Sequence, residues 1–322
     1  MTPALLDSPH VHRRGFRHEA LFYAGEDEFV GRVARFVQDG LEAEEPVLVA
    51  VSAAKIDLLR QALGGAAVRV AFADMDDLGA NPARIIPAWR EFADRTLANG
   101  GRARGVGEPI SAGRSPAELV ECQRHESLLN LAFDPGPAWW LVCPYDTSTL
   151  DAGVITEARR SHPVIWQEHS GIESREYSGS DTIAGPFVTP LPAPATPPQE
   201  TIFDADGLGL IRRLVGDVAA AAELDEGRTR DLTLAANELA SNSVLHAGGE
   251  GQLRIWCEGG TLMCEVIDAG YIDQPLAGRE SPRPGEATGR GLWLANQLCN
   301  LVQIRSSPDG TTVHLHMRLD QV

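Results

Sequence analysis

The chain has 322 residues, 43% of them hydrophobic, and carries a formal net charge of −17. A chain of this length is long enough for two globular domains. Both halves are acidic, which disfavours nucleic acid and anionic membranes as main partners, because phosphate binding requires clustered positive charge. A small ligand or a basic protein surface is favoured instead. No apolar run has the roughly 20 residues needed to span a bilayer, and the start lacks a signal-peptide core, so we expect a cytoplasmic protein.

Two residue types restrict the chemistry further. The five cysteines show no spacing that would enclose zinc, and we interpret them as small buried hydrophobic side chains in a reducing compartment. Lys55 is the only lysine, and no glycine loop precedes it. This excludes a phosphate loop of the GxxxxGK[ST] type and a eukaryotic-type protein kinase. A nucleotide must then be held by arginine, backbone amides and a metal ion.

The first half of the chain alternates strand-like and helix-like segments. Between the apolar runs EALFY and PVLVAVS, apolar residues recur at helical spacing, namely Phe29, Val33, Phe36, Val37 and Leu41. The alternation continues to the apolar run WWLVCPYD, which ends at residue 146. Such a pattern predicts an α/β domain with a mostly parallel sheet that is covered by helices on both faces.

Polar residues mark the strand ends of this predicted sheet. In parallel α/β sheets, ligands bind beyond the carboxyl ends of the strands. Tyr23, Glu108, Tyr145 and Asp146 stand at such ends, whereas His18 opens the first strand. These five residues are the candidates for a binding site in the first half.

The helix predicted over residues 116–133 begins with a capping box. Ser115 is followed three residues later by Glu118, and a proline occupies the first helical position. His125 and Glu126 in the same helix lack the HExxH spacing of a metal site. We therefore interpret both as solvated helix surface.

Four short motifs of the first half resemble the MEDS sensory domain of bacterial regulators. They are RHEALFY at 17–23, VGEPI at 106–110, LVCPYD at 141–146 and EARRSHP at 157–163. The resemblance runs over nearly all of residues 15–177. It implies a degenerate RecA-like fold without a phosphate loop, and it implies sensing of a small, for example hydrocarbon-like, ligand. His18 and Tyr23 are the implied contacts, and no reaction is implied.

A proline-rich stretch separates the two halves. Residues 178–200 include Pro190, Pro192, Pro194, Pro197 and Pro198. Proline fixes φ and removes the amide donor, so this stretch predicts an extended spacer. The expected domains are therefore residues 1–177 and 201–322, joined by a linker over residues 178–200.

The second half opens with two predicted helices, and the second contains NELASNSVLHA at 237–247. Glu238, Asn242 and His246 are four residues apart, so all three can point from one helical face into a pocket. The alternative is a solvated polar stripe, which is common on surface helices. His246 stands near the helix end, where it can serve as a cap, and it is left outside the catalytic set.

Further motifs downstream complete a candidate nucleotide site. Asp268 ends a predicted strand in DAG and can accept a hydrogen bond from an adenine amino group, while Gly270 permits close backbone approach. Gly289 and Gly291 leave backbone amides open at a predicted helix start, where phosphate is favoured. Two hairpins flank these motifs, and His314 and His316 are expected on the wet face of the last strand.

This order of motifs resembles the GHKL ATPase family, most closely its anti-sigma-factor serine kinases. The resemblance covers residues 204–320 and predicts a Bergerat-type α/β sandwich that binds ATP and Mg²⁺. It implies that Glu238 is the catalytic base, that Asn242 holds Mg²⁺ and that Asp268 binds adenine. The remaining implied nucleotide contacts are Gly270, Gly289, Arg290, Gly291, Leu292, Thr311 and Thr312.

The lid region departs from the family pattern. Ile272 replaces the second glycine of the family's DxGxG motif, and no lysine stands between Asp268 and Gly289. The phosphate contacts are then expected from arginine, for which the candidates are Arg279, Arg283 and Arg290.

The resemblance implies a serine protein kinase that phosphorylates an anti-anti-sigma protein and also binds a sigma factor, under control of the first half. A sensor histidine kinase is disfavoured because residues 202–224 contain no histidine. The alternative is an ATP-dependent sequestering protein that transfers no phosphate. A third hypothesis is an ATP hydrolase. The resemblance to related kinases also implies a homodimer.

Overall fold

A computed structural model describes residues 15–97, 101–133, 136, 138–167, 170–179, 189–282 and 289–319. Residues 180–188 of the expected linker lie outside this range, and the domain boundaries stay a prediction. The described residues form one sheet of seven strands and one of five. Among them, no helix combines the length and the apolar character needed to cross a membrane.

The N-terminal domain is built on the seven-stranded sheet, whose spatial order is β3-β2-β4-β5-β1-β6-β7. Its pairs are parallel except for the final pair, β6 with β7, which is antiparallel. The predicted mostly parallel α/β fold is confirmed. The strands are β1 Arg17–Tyr23, β2 Val47–Val51, β3 Val70–Asp74, β4 Ala103–Gly107, β5 Trp139–Asp146, β6 Val164–Gln167 and β7 Ser170–Glu173.

Helices cover both faces of this sheet and produce two cores. One core contains Trp89, Trp139 and Leu141, and the other contains Phe29 and Val142. The five apolar residues predicted at helical spacing in the first helix are all buried. The helices are α1 Glu26–Glu42, α2 Ala53–Leu63, α3 Met75–Leu78, α4 Ile85–Leu97, α5 Pro116–Phe133 and α6 Ala152–Ser161, with 3-10 turns at Gly64–Arg69 and Pro82–Arg84.

Helix α5 is buried on more than one side. The predicted capping box is confirmed, because the backbone nitrogen and the hydroxyl of Ser115 both donate to Glu118 Oε2 at 2.8 Å. The interpretation of His125 and Glu126 as helix surface is wrong, since each side chain is only 1% exposed. The physical reason is tertiary: α5 packs against its own sheet and also contacts the C-terminal domain, so two of its faces are covered.

The C-terminal domain is built on the five-stranded sheet, in the order β11-β12-β10-β9-β8, and its strand pairs are antiparallel. Three helices pack against it around a core that includes Ile211, Leu239 and Leu315. The predicted α/β sandwich is confirmed. Its elements are β8 Gln199–Phe203, α7 Leu208–Ala221, α8 Glu226–His246, β9 Gly251–Glu258, β10 Thr261–Asp268, α9 Arg290–Leu298, β11 Leu301–Ser307 and β12 Gly310–Arg318.

His314 does not lie on a wet face as expected. It is 1% exposed, and its Nε2 lies 2.8 Å from Glu265 Oε1 on the neighbouring strand. The ring also meets Trp256 edge-on, with centroids 5.6 Å apart. Burial is possible because a carboxylate partner stands directly opposite in the antiparallel register.

Candidate functional site

Helix α8 presents Glu238 and Asn242 at the edge of its buried face. The helix begins at a well-defined position, because Asp225 caps it by accepting from Gly227 N at 2.8 Å and Arg228 N at 3.1 Å. Glu238 and Asn242 are half-buried, and one turn of about 6 Å separates them along the axis. The two side chains are therefore accessible to a ligand while their helix is anchored in the core.

His246 differs from the other two members of its motif. It lies in the last turn of α8 and is exposed, next to Leu245, which is 72% exposed. An exposed imidazole at a helix end interacts favourably with the helix dipole. Its position is in keeping with leaving it outside the catalytic set.

Asp268 links the end of β10 to helix α8. Its Oδ2 accepts a hydrogen bond of 2.6 Å from Ser243 Oγ, and its Oδ1 accepts one of 2.8 Å from Gly270 N. Each carboxylate oxygen retains a further acceptor position, which an adenine amino group needs. Sequence reasoning missed Ser243, although it directly follows Asn242 in the motif.

The last hairpin closes the other side of this site. Thr311 is the register partner of Asp268, and Thr312 is the partner of Ile267. Thr311 Oγ1 donates to Gly270 O at 2.8 Å. Two residues predicted to bind the nucleotide, Thr311 and Gly270, thus contact each other directly beside Asp268.

The start of helix α9 meets Asn242. Gly289 is the N-cap of this helix, with φ of +85°, a conformation that favours glycine, and it has no side chain that could cap the first amides. A Cβ on Gly291 would lie 2.6 Å from Asn242 Nδ2, so a larger residue there would displace the Asn242 side chain. Arg290 is exposed, and Leu292 packs against the core.

The residues present fit a nucleotide with Mg²⁺. Asn242 offers the hard oxygen that Mg²⁺ prefers, the N-terminus of α9 offers amides to phosphate, and Asp268 offers acceptor oxygens to a base. A Cβ on Gly270 would lie 2.7 Å from Ala247 Cβ, and one on Gly291 would displace the Asn242 side chain. The individual roles of these residues stay predictions.

Residues 269–282, called here the lid segment, are the described part of the loop between β10 and α9, and a hydrogen bond holds their first part in place. The backbone nitrogen of Ile272 donates to Ser306 Oγ on β11 at 2.8 Å. Arg279, one of the arginine candidates for the phosphates, is not a solvated charge, because it is 4% exposed and its Nη2 lies 3.3 Å from Glu121 Oε2. Burial lowers the pKa of Arg279 to about 10, so it remains cationic at neutral pH. Arg283 lies outside the described residues.

The N-terminal domain holds the far end of helix α9. Arg84 donates three hydrogen bonds of 2.8 Å to the backbone oxygens of Asn296, Gln297 and Cys299. Asn81 Nδ2 lies 3.1 Å from both oxygens of Asn296. One helix of nine residues therefore has its first turn at the predicted phosphate site and its last turn in the interdomain contact.

Helix α5 supplies a second interdomain contact. Glu121 accepts from Arg279 of the lid segment and, at 2.9 Å, from Arg305 on β11. Arg124 Nη1 donates to Ile304 O at 3.0 Å, and Glu118 is ion-paired with Arg318 on β12. The lid segment and the last hairpin are thereby attached to the N-terminal domain.

The candidate ligand-binding residues of the N-terminal domain separate into two clusters. The first joins Tyr23 and Glu108 to Lys55, which the sequence analysis did not place in a site. Lys55 Nζ lies 2.6 Å from Tyr23 Oη and 2.7 Å from both Glu108 oxygens. Burial raises the pKa of Glu108, and Lys55 opposes that shift. The sequence signal that could have placed Lys55 in a site was its position, as the only lysine, just after a predicted strand.

Asp146 supports the loop after β5. Its Oδ1 accepts from Ser148 N at 3.0 Å and from Ser148 Oγ at 2.5 Å, and Gly25 N lies 3.5 Å away. Burial raises the pKa of Asp146, but the hydrogen bonds from Ser148 and Gly25 together outweigh burial, so the pKa lies below its usual value. Asp146 therefore organises the turn beside the first cluster.

The second cluster contains His18 and three residues that sequence reasoning missed. His18, Glu126, Cys143 and His162, called here the buried quartet, are each at most 2% exposed. Tyr145 lies beside it, with its ring centroid 5.6 Å from that of His162. Burial, with a further effect of His162, lowers the pKa of His18 to about 4. No local spacing could reveal the quartet, because its members are far apart in the chain.

Comparisons with known proteins agree with these two domains. The model of the MEDS family, described as the methanogen/methylotroph, DcmR sensory domain, matches residues 17–163. The model of the histidine kinase-like ATPase domain matches residues 202–317, which implies ATP as the ligand there. No curated protein matches the chain.

Among solved structures, the chain is similar to the RsbU and RsbW domains of a protein from Mycobacterium tuberculosis, at 22% identity with a TM-score of 0.30. That similarity covers 39% of this chain and 34% of the other. The two family matches and the two observed folds lead to the same assignment. The chain combines a MEDS sensory domain, matched over residues 17–163, with a histidine kinase-like ATPase domain, matched over residues 202–317.

Proposed function

We propose that this protein is an ATP-dependent serine protein kinase of the anti-sigma-factor type, which acts on an anti-anti-sigma partner under control of its MEDS domain. One observation carries the proposal: Glu238 and Asn242 are accessible on α8, and the first turn of α9, at Gly291, lies directly against Asn242. This arrangement brings a candidate base, a candidate metal ligand and a candidate phosphate site together.

The chemistry assigned to this site is transfer of the γ-phosphoryl group of ATP to a serine hydroxyl. Mg²⁺ bound with the nucleotide supplies neutralisation of phosphate charge. Asn242 would hold the ion, and the first amides of α9 would bind phosphate oxygens. Glu238 would accept the proton of the attacking serine hydroxyl as the new oxygen–phosphorus bond forms and ADP departs.

Control by the MEDS domain has a direct physical route. Arg84 binds the last turn of α9, and Glu121 binds Arg279 of the lid segment. A ligand that shifts α5 or the 3-10 turn at Pro82–Arg84 would change both contacts. We infer that the docked arrangement restrains the lid segment and that release of these contacts alters nucleotide binding.

The decisive experiment isolates the proposed base. A partner captured from the native cell with the full chain and ATP is purified and incubated with Mg²⁺ and γ-labelled ATP, and the labelled residue is mapped. We expect a labelled serine. Glu238→Gln should reduce labelling by about 100- to 10,000-fold while ATP binding is retained, because a general base contributes a factor of that size.

The matched control is Glu226→Gln, at the exposed first turn of the same helix. This variant should label the partner at the wild-type rate. Labelling that survives Glu238→Gln would remove Glu238 from the role of base. Equal loss in the two variants would indicate a defect of the helix rather than of catalysis.

A second candidate function is ATP-dependent sequestration of a partner without phosphotransfer. It is favoured by the lid segment, in which Ile272 is bound to Ser306 and Arg279 is bound to Glu121. A lid held in this way has fewer groups available for the phosphates. Tight partner binding in ATP with no label over several hours would select this function over the kinase.

A further inference from the structure

The buried quartet lies where four elements of the MEDS domain meet. His18 stands on β1, Cys143 on the adjacent β5, Glu126 on α5, and His162 directly after α6. His18 and Cys143 share one face of the sheet, because Cys143 is the register partner of Ala20 and side chains two residues apart point the same way. The four side chains therefore converge from the sheet and from the two helices that cover it.

The distances within the quartet are close to those between the ligand atoms of a metal ion. His18 Nε2 lies 3.1 Å from Glu126 Oε2 and 3.3 Å from Cys143 Sγ, and His162 Nε2 lies 3.2 Å from the same Glu126 oxygen. All four potential ligand atoms lie within 4.8 Å of one another. Tetrahedral zinc, with bonds of about 2.0–2.3 Å, separates its ligand atoms by about 3.3–3.8 Å.

Neighbouring residues determine which ring nitrogens carry protons. Asn130 Nδ2 donates to Ser161 O at 2.8 Å, so Asn130 Oδ1 faces His18 Nδ1 at 3.1 Å and must accept from it. His162 Nδ1 lies 2.8 Å from Ala158 O, a carbonyl that can only accept. Both rings thus hold a proton on Nδ1. Nε2 of His18 faces Glu126 Oε2 with hydrogen-bond geometry, and Nε2 of His162 lies 3.2 Å from the same oxygen without that geometry.

The two Nε2 atoms and the Glu126 carboxylate are therefore acceptors that share fewer hydrogen atoms than they can accept. The thiol hydrogen of Cys143 can serve only one of the acceptors. Among the described residues, neither His162 Nε2 nor Glu126 Oε1 has a hydrogen-bond partner. Lone pairs of two imidazoles and a carboxylate, all buried, repel one another unless a positive charge stands between them.

We propose that His18, Glu126, Cys143 and His162 bind one divalent transition-metal ion of the zinc class in a closed tetrahedral site. Two imidazoles, a thiolate and a carboxylate are ligands that zinc accepts, and four protein ligands are typical of a structural site. Asn130 and the Ala158 carbonyl then serve as outer partners that orient the rings. On binding, the thiol proton of Cys143 is released to solvent, and the thiolate joins the ion.

The ion would connect β1, β5, α5 and the end of α6, which supply its ligands. Helix α5 also carries Glu121, which contacts the lid segment. The metal site therefore stands on the same helix as the interdomain contact. The proposal rests on residues of the MEDS domain alone and does not depend on phosphotransfer by the ATPase domain.

The test uses the full chain with Cys257→Ser, which removes the exposed thiol. The protein is treated with a chelator and titrated with Co²⁺, which reports geometry and thiolate ligation by absorption. We expect one Co²⁺ per chain, the intense visible bands of tetrahedral Co²⁺, a thiolate charge-transfer band, and displacement by Zn²⁺. Failure of the folded protein to bind Co²⁺, or the weak spectrum of an octahedral ion, would overturn the proposal.

Two variants assign the ligands. Cys143→Ser should abolish the charge-transfer band, whereas the matched control Cys122→Ser should keep it, since Cys122 is equally buried but bonds to Pro109 O instead. A band that persists in Cys143→Ser, or disappears in Cys122→Ser, contradicts the assignment.

A third variant covers the case in which a ligand substitution prevents folding. Asn130→Ala removes the outer partner of His18 and leaves all four ligands in place. Metal affinity should fall by about 10- to 100-fold, as for other outer partners of metal-bound histidine. An affinity equal to that of the wild type would show that His18 is not held for a metal. Circular dichroism of each variant verifies the fold.

Discussion

The two candidate sites of this protein differ in how they are built and in how far water reaches them. In the ATPase domain, Glu238, Asn242 and Asp268 are half-buried and stand on one helix and one strand end. In the MEDS domain, the buried quartet is enclosed and is assembled from four elements. An accessible site suits a ligand that enters, reacts and leaves, whereas an enclosed one suits a group that stays.

The two sites also contribute differently to stability and to activity. Polar side chains in an enclosed cluster support the surrounding packing, because each lost partner leaves a buried polar atom unsatisfied. Polar side chains at an accessible site exchange their partners for water at little cost. Substitutions should therefore separate the two sites by their effects on folding and on ligand binding.

The largest expected effect is on folding of the MEDS domain. His18→Ala removes a ring that packs against Phe16 and His162, with centroid distances of 5.7 and 4.0 Å, and leaves the Oδ1 atom of Asn130 without its donor. We expect the free energy of unfolding to fall by about 2–5 kcal/mol through cavity formation and unsatisfied polar atoms. Urea unfolding followed by tryptophan fluorescence measures it.

The matched substitution in the ATPase domain is Glu238→Gln. Its side chain is half-buried at the helix edge, so the free energy of unfolding should change by less than about 0.5 kcal/mol. Equal losses in His18→Ala and Glu238→Gln would mean that the two sites do not differ in structural importance.

The next effect is on nucleotide affinity. Asp268→Ala removes the acceptor predicted for adenine and the anchor of Ser243 and Gly270. ATP should bind about 10- to 100-fold more weakly, a loss of about 1.4–2.8 kcal/mol. Calorimetric titration with ATP measures it, and Asp273→Ala, an exposed position five residues later, serves as the control. An unchanged affinity in Asp268→Ala would place the nucleotide elsewhere.

The smallest effect tests whether the two domains act separately. Arg84→Met removes three hydrogen bonds to the last turn of α9 and retains an apolar stem of similar length. Amide exchange in that turn should accelerate about 10-fold, equivalent to about 1.4 kcal/mol. The control is Arg60→Met, which changes an exposed arginine of the MEDS domain. Unchanged exchange in Arg84→Met would show that this contact does not restrain α9.

Sequence reasoning predicted the architecture of both domains and brought together most of the candidate nucleotide site. Glu238 and Asn242 share a helix, so a spacing of four residues was enough to group them. Asp268 and Gly291 were recognised by short motifs at predicted element ends. Arg279 was misjudged because its burial depends on Glu121, which is 158 residues away in the chain.

The MEDS domain shows the opposite behaviour. Its strands and helices were predictable from alternation, yet His125 and Glu126 were assigned to solvent because a helix covered on two faces lacks a simple amphipathic pattern. The partners of His18 were also missed, since Glu126 and Cys143 are separated from it by 108 and 125 residues.

The amino-acid sequence by itself determined the fold class of each half and the local motifs of the ATPase domain, because periodicity, turns and caps act between near neighbours. Only the tertiary structure decided the buried quartet, the capture of Arg279 by Glu121 and the attachment of α9 to Arg84. Those contacts join distant segments through packing of the sheet and helices, and no local spacing encodes them.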